Sequence, residues 1–351
     1  MLDYFVVGMG LSGLAVTTEL ERQNKSFRVF EDYSQKSSLV AAGIFNPVIL
    51  KRFTLAWKAD EQLETALPFY RELEEKLQVK LLHLWSIYRK FHSAEEQNNW
   101  FQAADQPKLS PFLSTELQKE VSPHLKSDFS FGRVLQTGNI DTDTLLKEYR
   151  HYLEKQGKIN FESFDYEALK LEENELHYKS QTARKIIFCE GFGLTRNPFF
   201  NYLPLRGNKG EYITIYSEGL KLEKAVKSSS FIIPLGNDLY KVGATYNHQD
   251  KSQEPTKEAR EMLKEQLDRL ISCSYEVVDQ EAGIRPATAD RRPLAGQHPE
   301  HKNIFCCNGF GSRGVLIAPS LGKELVNFAE NGAPLSPETD LQRFTRKYYK
   351  S

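Results

Sequence analysis

The amino terminus leaves this chain the least choice of fold. Residues 2–33 read LDYFVVGMGLSGLAVTTELERQNKSFRVFEDY, with Gly8, Gly10 and Gly13 spaced as GxGxxG. The apolar run at 4–7 predicts a buried strand, and 27–30 predicts a second one. Between them, residues 14–22 have helical spacing, with Leu14, Val16, Thr17 and Leu20 available to a sheet. Each glycine has its own task in such a unit. Gly8 allows the tight turn, Gly10 lets a pyrophosphate approach the backbone, and Gly13 lets the helix pack close to the strand. Amides at the helix start, around Leu11 and Ser12, then face phosphate charge. Glu31, eighteen residues after Gly13 and followed by Asp32, is positioned to accept hydrogen bonds from ribose hydroxyls. An acid there repels a 2′-phosphate and disfavours NADP. The pattern predicts dinucleotide binding without separating FAD from NAD.

Composition narrows the partners. The formal net charge is -1, so bulk electrostatics give no pull toward nucleic acid or an anionic membrane. Apolar residues make up 40% of the chain, enough for a large core. Cys189, Cys273, Cys306 and Cys307 lack metal-ligand spacing and read as free, mostly buried thiols of a reduced compartment. The start, MLDYFVVGMG, has no basic region leading into an apolar one, and no segment approaches membrane-spanning length, so a cytoplasmic protein is expected.

A plain dinucleotide fold would pass quickly to a crossover helix and a third strand. Here SQKSSLVAAGIFNPVIL intervenes, and only near residue 56 does a long helix begin. Its small residues Ser38, Ala42 and Gly43 permit close approach to a flat ligand, and Pro47 holds Asn46 extended. Further on, LLHLWSIYRKF reads as one strand, 141 or 142 starts a helix that stops near Gly157, and 185–189 is a buried strand opening into a glycine turn at Gly191. LPLRGNKGEYITI and SSFIIPLGNDLYKVGATYNH predict antiparallel strands with a turn at 236–238. NIFCCNGFGSRGVLIAPSLGKELVNFAENG repeats strand, glycine turn and helix, although Pro319 leaves the helix start open.

The segment Ser38-x4-Gly43-x3-Pro47 and the aromatic-rich LPFYREL after it resemble the D-amino-acid-oxidase-like family of FAD-dependent amine oxidases. Within it the likeness is strongest to the FAD oxidase domain of the bifunctional tRNA wobble-uridine modification enzymes, which the segment Gly311-Ser312-Arg313-Gly314 also matches. The resemblance implies an α/β fold: a Rossmann-like FAD-binding lobe (1–78, 137–202 and 283–351) with an inserted antiparallel-sheet substrate lobe (79–136 and 203–282). It implies that the turn ending at Pro47 lies against the flavin, and that the start of the last helix, through Gly314 and Val315, faces the flavin pyrimidine. Arg313 contacts flavin or substrate, or stands as a loop arginine in solvent.

One stretch, AGIRPATADRRPLAG, suits neither a surface loop nor a core strand. In the family a Gly-x-Arg-Pro segment at this point supplies the arginine that binds the substrate carboxylate, which implies that role for Arg285. A guanidinium suits it, since its planar fork makes two charge-assisted hydrogen bonds to a carboxylate. The alternative is a structural salt bridge, for instance with Asp290. Tyr246, Thr245 and Phe45 are pocket-lining or core residues. Family members with covalent flavin carry a cysteine beside the Arg-Pro segment; 287–289 has none, so FAD is expected to be non-covalent. The implied reaction is oxidation of a C–N bond by hydride transfer to flavin, followed by reoxidation by dioxygen or another acceptor. The substrate is a small amine or amino acid, or the carboxymethylaminomethyl group of a tRNA uridine. Near-zero net charge favours the small substrate, because tRNA needs a basic surface, for which Lys51, Arg52 and Lys58 or the tail RFTRKYYKS are the candidates.

Overall fold

The computed structural model describes residues 1–173 and 175–350. The opening unit forms as the sequence dictates: strand β1 (Leu2–Val7), helix α1 (Leu11–Arg22) and strand β2 (Phe27–Phe30). The small-residue stretch that follows is half helical, with one turn α2 (Ser37–Val40) before the chain extends through Ile44–Phe45. Helix α3 (Ala59–Leu77) buries Leu63, Tyr70 and Leu73 on one face. LLHLWSIYRKF is two strands rather than one. Leu82–Leu84 joins a small sheet with Gly138–Ile140, and β3 (Ile87–Lys90) belongs to the large, mostly antiparallel sheet. The break falls at Trp85, whose amide turns to the Thr137 carbonyl, and alternation of apolar residues continues across it.

Helix α4 (Ala94–Ala104), strands β4 (Leu113–Gln118) and β5 (Phe131–Val134), helix α5 (Thr142–Lys155) and strands β6 (Ile159–Asn160) and β7 (Gln181–Phe188) follow. Asp141 caps α5, accepting from the Thr144 amide at 3.0 Å. Then come β8 (Leu205–Tyr216), β9 (Val226–Lys227), β10 (Phe231–Gly236), β11 (Leu239–Gly243), helix α6 (Lys257–Asp268) and β12 (Glu276–Thr288). The chain closes with β13 (Leu294–Gln297), β14 (Ile304–Asn308), α7 (Gly314–Asn331) and α8 (Gln342–Tyr348).

Two sheets organise these elements. Strands β6, β2, β1, β7 and β14 run parallel, with β13 antiparallel on the β14 edge. Helices α1 and α7 pack together on this sheet, and Gly322 makes the contact possible: a Cβ there would lie 2.9 Å from Ala15. The second sheet has the order β12-β8-β11-β10-β9-β3-β5-β4. One of its faces is apolar, with Ile213, Val226, Ile232 and Val242 packed on Leu263 and Leu267 of α6. The other face turns toward α2 and the first sheet, where Gly283 of β12 meets Ser37 and Val40. The Arg285 segment therefore is a strand after all, its first half paired residue for residue with β8. No helix among the described residues is long and apolar enough to cross a membrane.

Candidate functional site

A cavity of about 690 Å³ runs between the two sheets, from the start of α1 to the α2-facing side of β8 and β12. Backbone geometry shapes its nucleotide end. Gly8 has φ +94°, and a Cβ on it would lie 2.6 Å from the Cys189 carbonyl oxygen. Gly13 lies back to back with it, 2.0 Å being the separation a Cβ would have from the Gly8 carbonyl oxygen. Neither backbone atom can yield, so both positions require glycine. Gly10, Leu11 and Ser12 line the cavity at the helix start, where no side chain caps α1. Ser38 Oγ stands 3.4 Å from the Leu11 amide, bringing α2 over the same helix start.

Glu31 is buried, and its carboxylate accepts from the Met9 amide and, at 3.0 Å, from the Tyr33 amide. Burial raises its pKa, while Arg150 at 3.4 Å and the two amides pull the other way. Arg150 also donates to the Met9 carbonyl at 2.9 Å, so it braces the turn and the acid together. It comes from α5 and carries no signal in the sequence beyond helical spacing. Glu190 is a second wall acid, hydrogen-bonded to the Tyr166 hydroxyl and, at 2.7 Å, to Asn197; burial pushes its pKa up to about 7.

Of the other residues expected at a cofactor, Asp32, Ala42, Gly43 and Gly191 line this cavity, as do Gly311, Ser312, Arg313, Gly314 and Val315. Gly13 does not reach it, acting instead through the helix–strand contact. Arg313, in the turn before α7, does not stand in solvent. It donates to the Trp57 carbonyl at 3.0 Å and to Gln62 Oε1 at 3.1 Å, tying the α7 start to the α3 start. Burial and the neighbouring Arg292 lower its pKa to about 10.

At the other end Arg285 and Tyr246 line the wall, with the guanidinium 4.7 Å over the Tyr246 ring and donating to the Thr245 carbonyl at 3.3 Å. Asp290, the alternative partner, binds Arg343 at 2.9 Å instead. Phe45, expected at the substrate, does not reach the wall: it is buried in the core, its ring over Gly138. The extended pair Ile44–Phe45 alternates sides, so Ile44 lines the cavity and Phe45 enters the core. Tyr212, Gly210 and Lys227 also belong to this end, and nothing in their sequence surroundings points to it.

The chamber thus joins two uncapped helix starts and a ribose-positioned acid to a sheet face bearing an arginine, which fits a long dinucleotide beside a small anionic ligand. A glycine oxidase of Bacillus subtilis is 23% identical over 353 residues, covering 93% of this chain and 92% of that protein. The tRNA 5-methylaminomethyl-2-thiouridine biosynthesis bifunctional protein MnmC of Legionella pneumophila is 26% identical over 182 residues, covering 42% of this chain and 27% of that protein. The structure of glycine oxidase from Bacillus cereus superposes with a TM-score of 0.76 at 20% identity, over 95% of this chain and 96% of that one. The family model described as FAD dependent oxidoreductase matches residues 3–328, and the chain belongs to that family.

Proposed function

We propose that the protein oxidises the C–N bond of a carboxylate-bearing amine, an amino acid or an N-substituted glycine, using non-covalently held FAD. The observation that carries this reading is Arg285, a guanidinium in the cavity wall whose protein partners are a carbonyl and an aromatic ring rather than an acid. On this reading segments 1–78, 137–202 and 283–351 bind FAD and segments 79–136 and 203–282 bind substrate, with Arg285 reaching the substrate from the last part of β12 in the antiparallel sheet. The residues that would hold FAD are the Gly8–Ser12 turn, Glu31, Ser38 to Gly43 and the α7 start. FAD supplies a two-electron acceptor for hydride from the carbon beside the nitrogen. The protein's share is position. Arg285 pairs with the carboxylate and fixes that carbon, with the Tyr212 and Tyr246 side chains beside it in the cavity wall. The amine enters this step neutral, and no obligatory base is assigned.

The test is an anaerobic screen for flavin bleaching across amino acids, N-methyl amino acids and undermodified tRNA. Bleaching by a carboxylate-bearing amine is expected; a flavin that no amine reduces would sink the proposal. Peroxide release in air separates an oxidase from a dehydrogenase that hands its electrons to another acceptor. A second reading, oxidation of a glycine-like group on tRNA uridine, is favoured by the similarity to MnmC and is marked by bleaching with tRNA alone.

A further inference from the structure

Acidic groups are confined to one end of the cavity, although Arg196 and Arg313 also line its wall. Its acidic wall residues, Glu31, Asp32, Glu162 and Glu190, belong to the nucleotide end. The wall formed by the antiparallel sheet carries Arg285 and Lys227 and no acid, and exposed Lys51, in the turn between the paired segments Val48–Ile49 and Thr54–Leu55, also lines the cavity. Register explains why Lys227 points the same way as the arginine. Lys227 opposes Phe231, Phe231 opposes Gly243, and Gly243 opposes Tyr212, so the four share one face. Gly210 and Gly283 oppose each other two residues further along, and Arg285 follows at the next same-side position.

Lys227 has no evident structural reason to be a cation. Its ammonium donates to the Ser229 carbonyl at 2.5 Å and lies 5.0 Å over the Phe231 ring. The charge acting on it is another cation, Arg89, which is itself paired with Glu96. Burial and that neighbour pull its pKa down to about 8, so an anion arriving here regains what the fold withholds.

Resting on the function proposed above, we infer that Lys227 is a second anion anchor and that the substrate is a dianionic amine. One carboxylate pairs with Arg285, and a second acidic group, carboxylate or phosphate, extends along Phe231 to Lys227. The test uses holoenzyme and anaerobic flavin reduction by N-(2-carboxyethyl)glycine, N-(2-phosphonoethyl)glycine and the neutral N-propylglycine. Half-saturation is expected about tenfold lower for an acidic substrate than for the neutral one, and the better of the two acids identifies the source. Lys227→Met should erase this preference and Lys227→Arg should restore most of it. A wild-type preference for the neutral amine, or a preference that Lys227→Met leaves intact, overturns the inference. Binding without turnover separates this outcome from failure of the oxidation reading: glutarate and butyrate are titrated against the flavin absorbance. A glutarate advantage that vanishes in Lys227→Met upholds the anchor even if no amine reduces the flavin, and an advantage absent or independent of Lys227 removes it.

Discussion

Arg285 is held by neutral groups: the Thr245 carbonyl, the Tyr246 ring and the Tyr212 side chain. Its guanidinium lies over Gly210, where a Cβ would come within 2.1 Å of Nη2. The arginine was legible because Arg-Pro between small residues is an unusual setting for a charge. Gly210 was not, because its role exists only once β8 and β12 are in register. Lys227 was equally silent, one lysine before a run of serines. Arg285→Lys keeps the charge but loses the planar fork. Half-saturation by carboxylate-bearing amines should rise roughly ten- to a hundredfold, from the loss of about 1.5–3 kcal/mol of charge-assisted hydrogen bonding. The melting temperature should hardly move, since no ion pair within the fold is broken. Steady-state kinetics with parallel thermal melts checks both halves, and an unchanged half-saturation would remove Arg285 from substrate binding.

Helix α7 contains Pro319 five residues after its first, where it can donate no hydrogen bond to the Val315 carbonyl four residues back. The protein meets this by tertiary means. The hydroxyl of buried Tyr70, from α3, donates to that carbonyl at 2.8 Å. This is why the sequence left the helix start open: the group that satisfies the first turn lies 245 residues away. The same kind of cause divided LLHLWSIYRKF, whose apolar alternation is continuous although its two halves pair with different sheets. By contrast β1, α1, β2 and α5 were readable because glycine spacing and a capping aspartate are local signals. Tyr70→Phe should leave the Val315 carbonyl buried and unpaired, costing about 1–3 kcal/mol. Val315 also lines the cavity, so flavin content should fall along with the melting temperature. An unchanged melting temperature and full flavin content would show that the carbonyl finds another partner.

At the scale of the whole molecule, the cavity exists only because two sheets face each other, and its walls come from residues as distant as Gly8 and Leu316. Local patterns could reveal the glycine turns separately but not that they converge, since convergence depends on how β12 brings Gly283 against α2. A cofactor spanning such a cavity stabilises both walls together. The flavin is expected to be removable, because Cys189 is the cysteine on the wall, and burial holds its thiol well above the usual range. A thiol kept protonated is a poor nucleophile toward a flavin ring. Acid precipitation should therefore release yellow FAD into the supernatant. Apoprotein prepared under gentler conditions should melt at a lower temperature than holoenzyme. Free FAD at about a hundredfold above Kd should restore about 2.7 kcal/mol, roughly 4 °C for a chain of this size, with the midpoint rising further as FAD is added. Colour that stays with the pellet, or a midpoint indifferent to FAD concentration, would mean that the flavin is covalently attached or that the cavity does not hold it.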